Sequence, residues 1–144
     1  MTVVSITRLK LRRFWNLPAF LHHANASAAQ LKDTPGFTGG YLAFNWKWTF
    51  WTVSHWQSRD AMRAYRTSGA HAAAMKLLPG WCDEAAVATI EAEGLALPSP
   101  EEATRLMRQH GRLARVNKPS KAHAAQQCWP DGRIPRIGQR IVPN

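Results

Sequence analysis

Trp48-Thr49-Phe50-Trp51-Thr52-Val53-Ser54-His55-Trp56 is the stretch whose reading decides the fold. It contains no glycine, no proline and no formal charge, and its aromatic and β-branched residues suit a strand. Side chains alternate between the two faces of a strand. One face therefore carries Trp48, Phe50, Thr52, Ser54 and Trp56, and the other carries Thr49, Trp51, Val53 and His55. An antiparallel sheet with one wet face shows polar residues on that face. Here both faces carry indoles, so both need cover.

Outward from this strand the chain reads strand, helix, two strands, helix, strand. Val3 to Arg12 is rich in β-branched residues, with Val4 and Ile6 on one face and Leu9 and Leu11 on the other. Pro18 suits the first turn of a helix, and Leu17, Leu21, Ala24, Ala28 and Leu31 follow at helical spacing until Pro35-Gly36. Phe37 to Lys47 reads as a strand, with Gly39-Gly40 marking a bulge or a close backbone approach. It forms a hairpin with Trp48–Trp56, turning around Asn45–Trp48. Ser58 and Asp60 are caps for a second helix carrying Met62, Tyr65, Ala72, Met75 and Leu78, which Gly69 kinks or breaks and Pro79-Gly80 stops. Ala85 to Ala92 is the last strand.

After Gly94, Ser99 and Glu102 form a capping box with Pro100 at the first helical position, so a short helix runs over about 99–110 until Gly111. From Asn117 onward no period survives, and the chain reads as irregular. This gives a ferredoxin-like domain over 1–94 and an extension over 95–144. The fold class is α+β, a βαββαβ antiparallel sheet with two helices on one face. Two helices leave the second face open, and a second copy of the sheet is the simplest cover; a homodimer is expected.

The 144 residues are 45% hydrophobic and 19% charged, enough for a real core. Cys82 and Cys128 alone make no disulfide scaffold, and no spacing suits structural zinc. No apolar run spans a bilayer and basic residues interrupt the N-terminal strand early, so a cytoplasmic chain is expected. The net charge of +10 is uneven: residues 1–104 carry +2 and residues 105–144 carry +8. A basic extension can meet phosphates, an acidic partner or a neighbouring protomer. Trp129 is its only aromatic residue, so no single-strand stacking platform exists and nucleic-acid binding is not expected.

Thr34-Pro35-Gly36-Phe37, then Thr49 to Ser58 ending in Trp56-Gln57-Ser58, then Met62, Tyr65, Ser68 and His71 resemble the dimeric α+β barrel superfamily. Its members include the antibiotic-biosynthesis monooxygenases and spheroidene monooxygenase-like proteins. The resemblance covers roughly residues 3–93. It implies two sheets closed into a barrel, with a pocket between sheet and helices in each protomer. It further implies a cofactor-independent monooxygenase acting with dioxygen on a small aromatic, polycyclic or polyene substrate.

The residue inventory agrees with chemistry that needs little equipment. No carboxylate lies in the first three strands, and there is no nucleophile elbow, phosphate loop or metal-protease motif. Hydrolytic carboxylate pairs, metal sites and nucleotide-dependent chemistry are therefore disfavoured. His22 and His23 are adjacent on a helix and point apart, as a polar face would. His55 and His71 are the candidate bases, each with a structural alternative as a packed histidine. Trp51 and Trp56 are candidates for an aromatic wall against a flat substrate, or for core. Arg63 and Tyr65 could steady an enolate or phenolate, or lie on the surface. No cofactor is expected; haem, with a helix histidine such as His71 as axial ligand, is the less favoured alternative, and Met75 one turn further on complicates it.

Overall fold

The computed structural model describes residues 1–127, 134–135 and 138–144. The chain order is β1 (Thr2–Leu11), a 3-10 turn (Phe14–Asn16), α1 (Leu17–Asp33), β2 (Phe37–Phe44), β3 (Thr49–Trp56), α2 (Arg59–Arg66), α3 (Gly69–Trp81), β4 (Cys82–Ala92), α4 (Pro100–His110), β5 (Arg112–Leu113), α5 (Lys121–Ala124) and β6 (Gly138–Ile141). The six strands form one sheet in the order β5-β4-β1-β3-β2-β6, every neighbouring pair antiparallel. Its central four strands, ordered 4-1-3-2, are the expected ferredoxin-like core.

Local chemistry explains the element ends. The β2–β3 turn closes on Asn45, whose side-chain oxygen accepts the Lys47 and Thr49 amides at 2.9 and 3.3 Å, while Trp48 takes a left-handed φ of 61°. Gly40 carries the close approach: a Cβ there would lie 2.5 Å from the Val53 carbonyl oxygen, and the register slips between Phe37 and Gly39. Ser58 caps α2 through the Ala61 amide at 3.1 Å. The second helix of the sequence reading is two helices, broken at Thr67-Ser68. The second departs from expectation by running through Pro79 to Trp81. Half of the Ser99–Glu102 box forms. Ser99 accepts the Glu102 amide at 3.2 Å, but the Glu102 carboxylate turns to Arg105.

On one face of the sheet α1, α2 and α3 close two clusters. Val3, Leu31, Phe37, Trp56, Met62, Tyr65 and Ile141 form the first; Leu11, Phe20 and Cys82 form the second, with Trp48 and Phe50 packed against them. The α1 stripe is rotated from the expected one: Phe20 is buried and Leu21 is exposed.

The opposite face corrects the sequence argument. Val4, Ile6, Trp51 and Val53 are almost completely buried within a single chain, against Ala103, Leu106 and Met107 of α4 and against Ile134. Burying these side chains contributes roughly 1.5–3 kcal/mol for each large one. The cover expected from a second copy is supplied by the chain's own extension. The extension is also less irregular than its composition suggests, because α5 is capped by Ser120 and β5 and β6 pair with the two edges of the four-stranded core. Cys128, Trp129, Asp131, Arg133 and Arg136 lie outside the described residues.

Candidate functional site

The residues singled out from the sequence fall on two faces. Odd-numbered Trp51 and His55 face α4, whereas Trp56, Tyr65 and His71 lie with α1–α3. The tryptophans therefore make no single wall: Trp51 and Trp56 are on opposite sides, and Trp46 is exposed.

On the α1–α3 side a stack of rings runs outward from the core. Centroids are 5.5 Å apart from Phe37 to Trp56, 5.5 Å from Trp56 to Tyr65 and 4.6 Å from Tyr65 to His71. Trp56 is wholly buried and its indole donates to Ser54 Oγ at 2.9 Å. The Tyr65 hydroxyl donates to the Ser27 carbonyl at 3.2 Å, and burial pushes its pKa up, so it stays a phenol at neutral pH. Gln30 of α1 clasps the break between α2 and α3. Its amide donates to the carbonyls of Tyr65 and Ser68 at 3.2 and 2.9 Å, and its oxygen accepts the His71 amide at 2.9 Å.

His71 is half-buried, and desolvation lowers its pKa, with the Arg66 carbonyl opposing and the Arg66 charge adding to the shift. It is therefore neutral near pH 7. Its Nδ1 lies 3.3 Å from the Arg66 carbonyl, which only an N–H can satisfy. That tautomer leaves Nε2 with a lone pair able to accept a proton. Arg63 is exposed on α2.

His55 is engaged at both ring nitrogens. Nε2 lies 2.5 Å from the Leu95 carbonyl and therefore carries the proton, while Nδ1 meets the Thr38 hydroxyl. Thr2 Oγ1 donates to the same Leu95 carbonyl at 2.9 Å. These bonds hold the start of the extension on the sheet.

A buried ion pair, with the serine that caps it, and the Gln30 clasp escaped the sequence reading. Arg8 is fully buried in phase with Val4 and Ile6, bonded to Glu84 at 2.8 Å with its guanidinium 5.8 Å from the Trp51 ring. Ser120 donates to the other Glu84 oxygen at 2.7 Å. The signal was present, since a charge on an apolar strand face demands a partner. Gln30 gave no such signal.

The surroundings of His71 do not fit haem. The imidazole is stacked on Tyr65, and Trp56, Met62 and Tyr65 are packed with at most 9% exposure, leaving no slot for a macrocycle. Met75 points to solvent. Among the described residues no group of three or more His, Cys, Asp or Glu side chains is placed to hold a metal ion, and no helix is long and apolar enough to cross a membrane.

No protein family matches the sequence, and no curated protein is significantly similar to it. Solved structures do resemble the fold. Rv0793 from Mycobacterium tuberculosis superimposes with a TM-score of 0.59 at 16% identity, covering 67% of this chain and 99% of its own. SnoaB, a cofactor-independent oxygenase from Streptomyces nogalater, gives 0.53 at 19%, covering 68% and 98%. An antibiotic biosynthesis monooxygenase gives 0.56 at 13%, covering 62% and 97%. Each neighbour is matched over nearly its whole length, and about a third of this chain has no counterpart in it. At these identities the likeness concerns fold. The chain has the ferredoxin-like α+β fold of the antibiotic biosynthesis monooxygenase-like proteins.

Proposed function

We propose that this protein is a small cofactor-independent oxygenase that acts on an aromatic or polycyclic substrate, with His71 as the base. One observation carries the reading: His71 is neutral, its Nδ1 is tied to the Arg66 carbonyl, and its Nε2 is left basic beside an aromatic stack. Nε2 removes a proton from an acidic C–H or phenol of the substrate. The resulting anion gives electrons to dioxygen and forms a carbon–oxygen bond. For an anthrone, the hydroperoxide then loses water, so that a CH2 group becomes a carbonyl and the second oxygen atom leaves as water. The substrate lies on the outer side of the stack, against His71 and Tyr65, with the buried Trp56 behind them, and Arg63 on α2 supplies a cation for the substrate oxyanion. Trp51 and His55, on the other face, serve packing. The reading requires only one copy of the chain.

The test is turnover of an anthrone or quinol with and without dioxygen, using the full chain and His71→Gln. Oxygen-dependent turnover that falls about 10²–10⁴-fold in His71→Gln is expected. Turnover unchanged by anaerobiosis would exclude an oxygenase. A second reading, a non-catalytic binding or assembly protein, is favoured by the closed packing of Trp56 and Met62. It predicts no turnover of any such substrate and no change of fold in His71→Gln.

A further inference from the structure

We propose that a basic cleft at the β4–β5 edge, which shares Arg63 and Arg66 with the surroundings of His71, binds a small soluble ligand through a phosphoryl group. The cleft, about 290 Å³, is lined by Arg59, Met62, Arg63, Arg66, Thr89, His110 and Arg112. Two independent parts of the chain build it. On α2, residues 59, 63 and 66 are spaced to present three guanidinium groups on one helix face. From the extension, β5 pairs with β4 so that Arg112 lies opposite Val87. Directly opposed residues share a face, and Val87 and Thr89 are in phase along β4. Arg112 is thereby brought to the α2 side of the sheet, beside the Thr89 hydroxyl.

Charge balance then selects the ligand. Arg59 is bonded to Glu91 at 2.8 Å. Arg63, Arg66 and Arg112 have no carboxylate partner among the described residues. Like charges three and four residues apart weaken a helix, and no acidic side chain of the cleft offsets them. One guanidinium fork satisfies a carboxylate. Three unpaired forks with a hydroxyl and an imidazole match a multiply charged tetrahedral group, which has more acceptor oxygens to share. The volume is at the small end of ligand sites, which suits a compact phosphorylated molecule. The cleft is local, bounded by α2 and the α4–β5 turn, and not a stripe along the surface.

The experiment is calorimetric titration of the full chain with pyrophosphate at constant ionic strength, for wild type, Arg63→Gln, Arg112→Gln and the control Lys118→Gln. All three substituted positions are exposed, so folding should survive each change; circular dichroism checks it. Saturable binding of one pyrophosphate per chain is expected, weakened about tenfold or more by Arg63→Gln and by Arg112→Gln, as loss of a charge-assisted bond implies. Lys118→Gln should stay within about twofold. Absence of saturable binding, or equal weakening in all three variants, would overturn the proposal. Pyrophosphate binding is read without turnover, and Arg112→Gln lies outside the proposed oxygenase site, so failure here is distinguishable from failure of the His71→Gln test.

Discussion

Met107→Ala isolates the intramolecular cover of the sheet. Met107 is 2% exposed and faces Val4, Ile6, Trp51 and Val53 from α4. Truncating a buried methionine to alanine costs about 2–5 kcal/mol through lost transfer energy and the cavity left behind. Against a total stability of about 5–15 kcal/mol for a domain, this is a large fraction. At about 3–4 °C per kcal/mol, Tm should fall by roughly 6–20 °C. Arg108→Ala, one residue further along the same helix but exposed, should change stability by less than about 0.5 kcal/mol. Urea unfolding followed by circular dichroism gives both values, and iodide quenching reports the buried Trp51. Sedimentation of a chain ending at Gly94 completes the test, because removing α4 opens the Trp51 face and should drive self-association. The reasoning fails if Met107→Ala behaves like Arg108→Ala, or if the shortened chain stays monomeric with full stability and a protected indole.

Arg8→Met leaves Glu84 buried without its guanidinium partner, and a loss of about 3–5 kcal/mol is expected at neutral pH; Arg8→Met/Glu84→Met should recover most of it, as a double-mutant cycle would show. His71 has a lowered pKa in the folded state, so its contribution to stability is complete above the ordinary value of about 6.5 and is lost as pH falls below it, where the unfolded chain binds the proton first. Urea midpoints at pH 7.5 and 5.5 should therefore differ more for wild type than for His71→Gln; equal differences would refute the assignment. Gly40→Ala drives a Cβ to 2.5 Å from the Val53 carbonyl oxygen and should cost about 1–3 kcal/mol, measured by thermal unfolding, while Gly94→Ala has open space and only its φ of 64° to oppose it.

The core sheet was legible in the sequence because its strands are rich in β-branched and aromatic residues and its breaks are chemical: Asn45 at the hairpin, Gly40 at the close approach, Ser58 at a cap, Gly69 directly after the helix break. The need to cover both faces was equally legible in Trp51 and Trp56. What covers the second face was not. A short helix such as α4 carries too few apolar residues to announce a destination, and β6 places only Ile141 in the core. Of the site, the stacking of Tyr65 on His71 arises from the break between α2 and α3, which aims a residue from each helix at the other. No spacing rule along one continuous helix anticipates that. Gln30, which ties the break together, lies 35 to 41 residues earlier in the chain but in the same layer in space, and side-chain amides on helix surfaces carry no mark of their partners.

The pairing of Gly40 with Ile141 joins points about a hundred residues apart, and the covering helix follows the last core strand in the chain. During synthesis, which delivers about 5–20 residues per second, the nascent domain holds a bare hydrophobic plane and two unpaired rims for several seconds. Such distant contacts also slow closure once the chain is released. The vulnerable species is therefore the half-made polypeptide, and its exposure ends only when the final stretch wraps back over the plane.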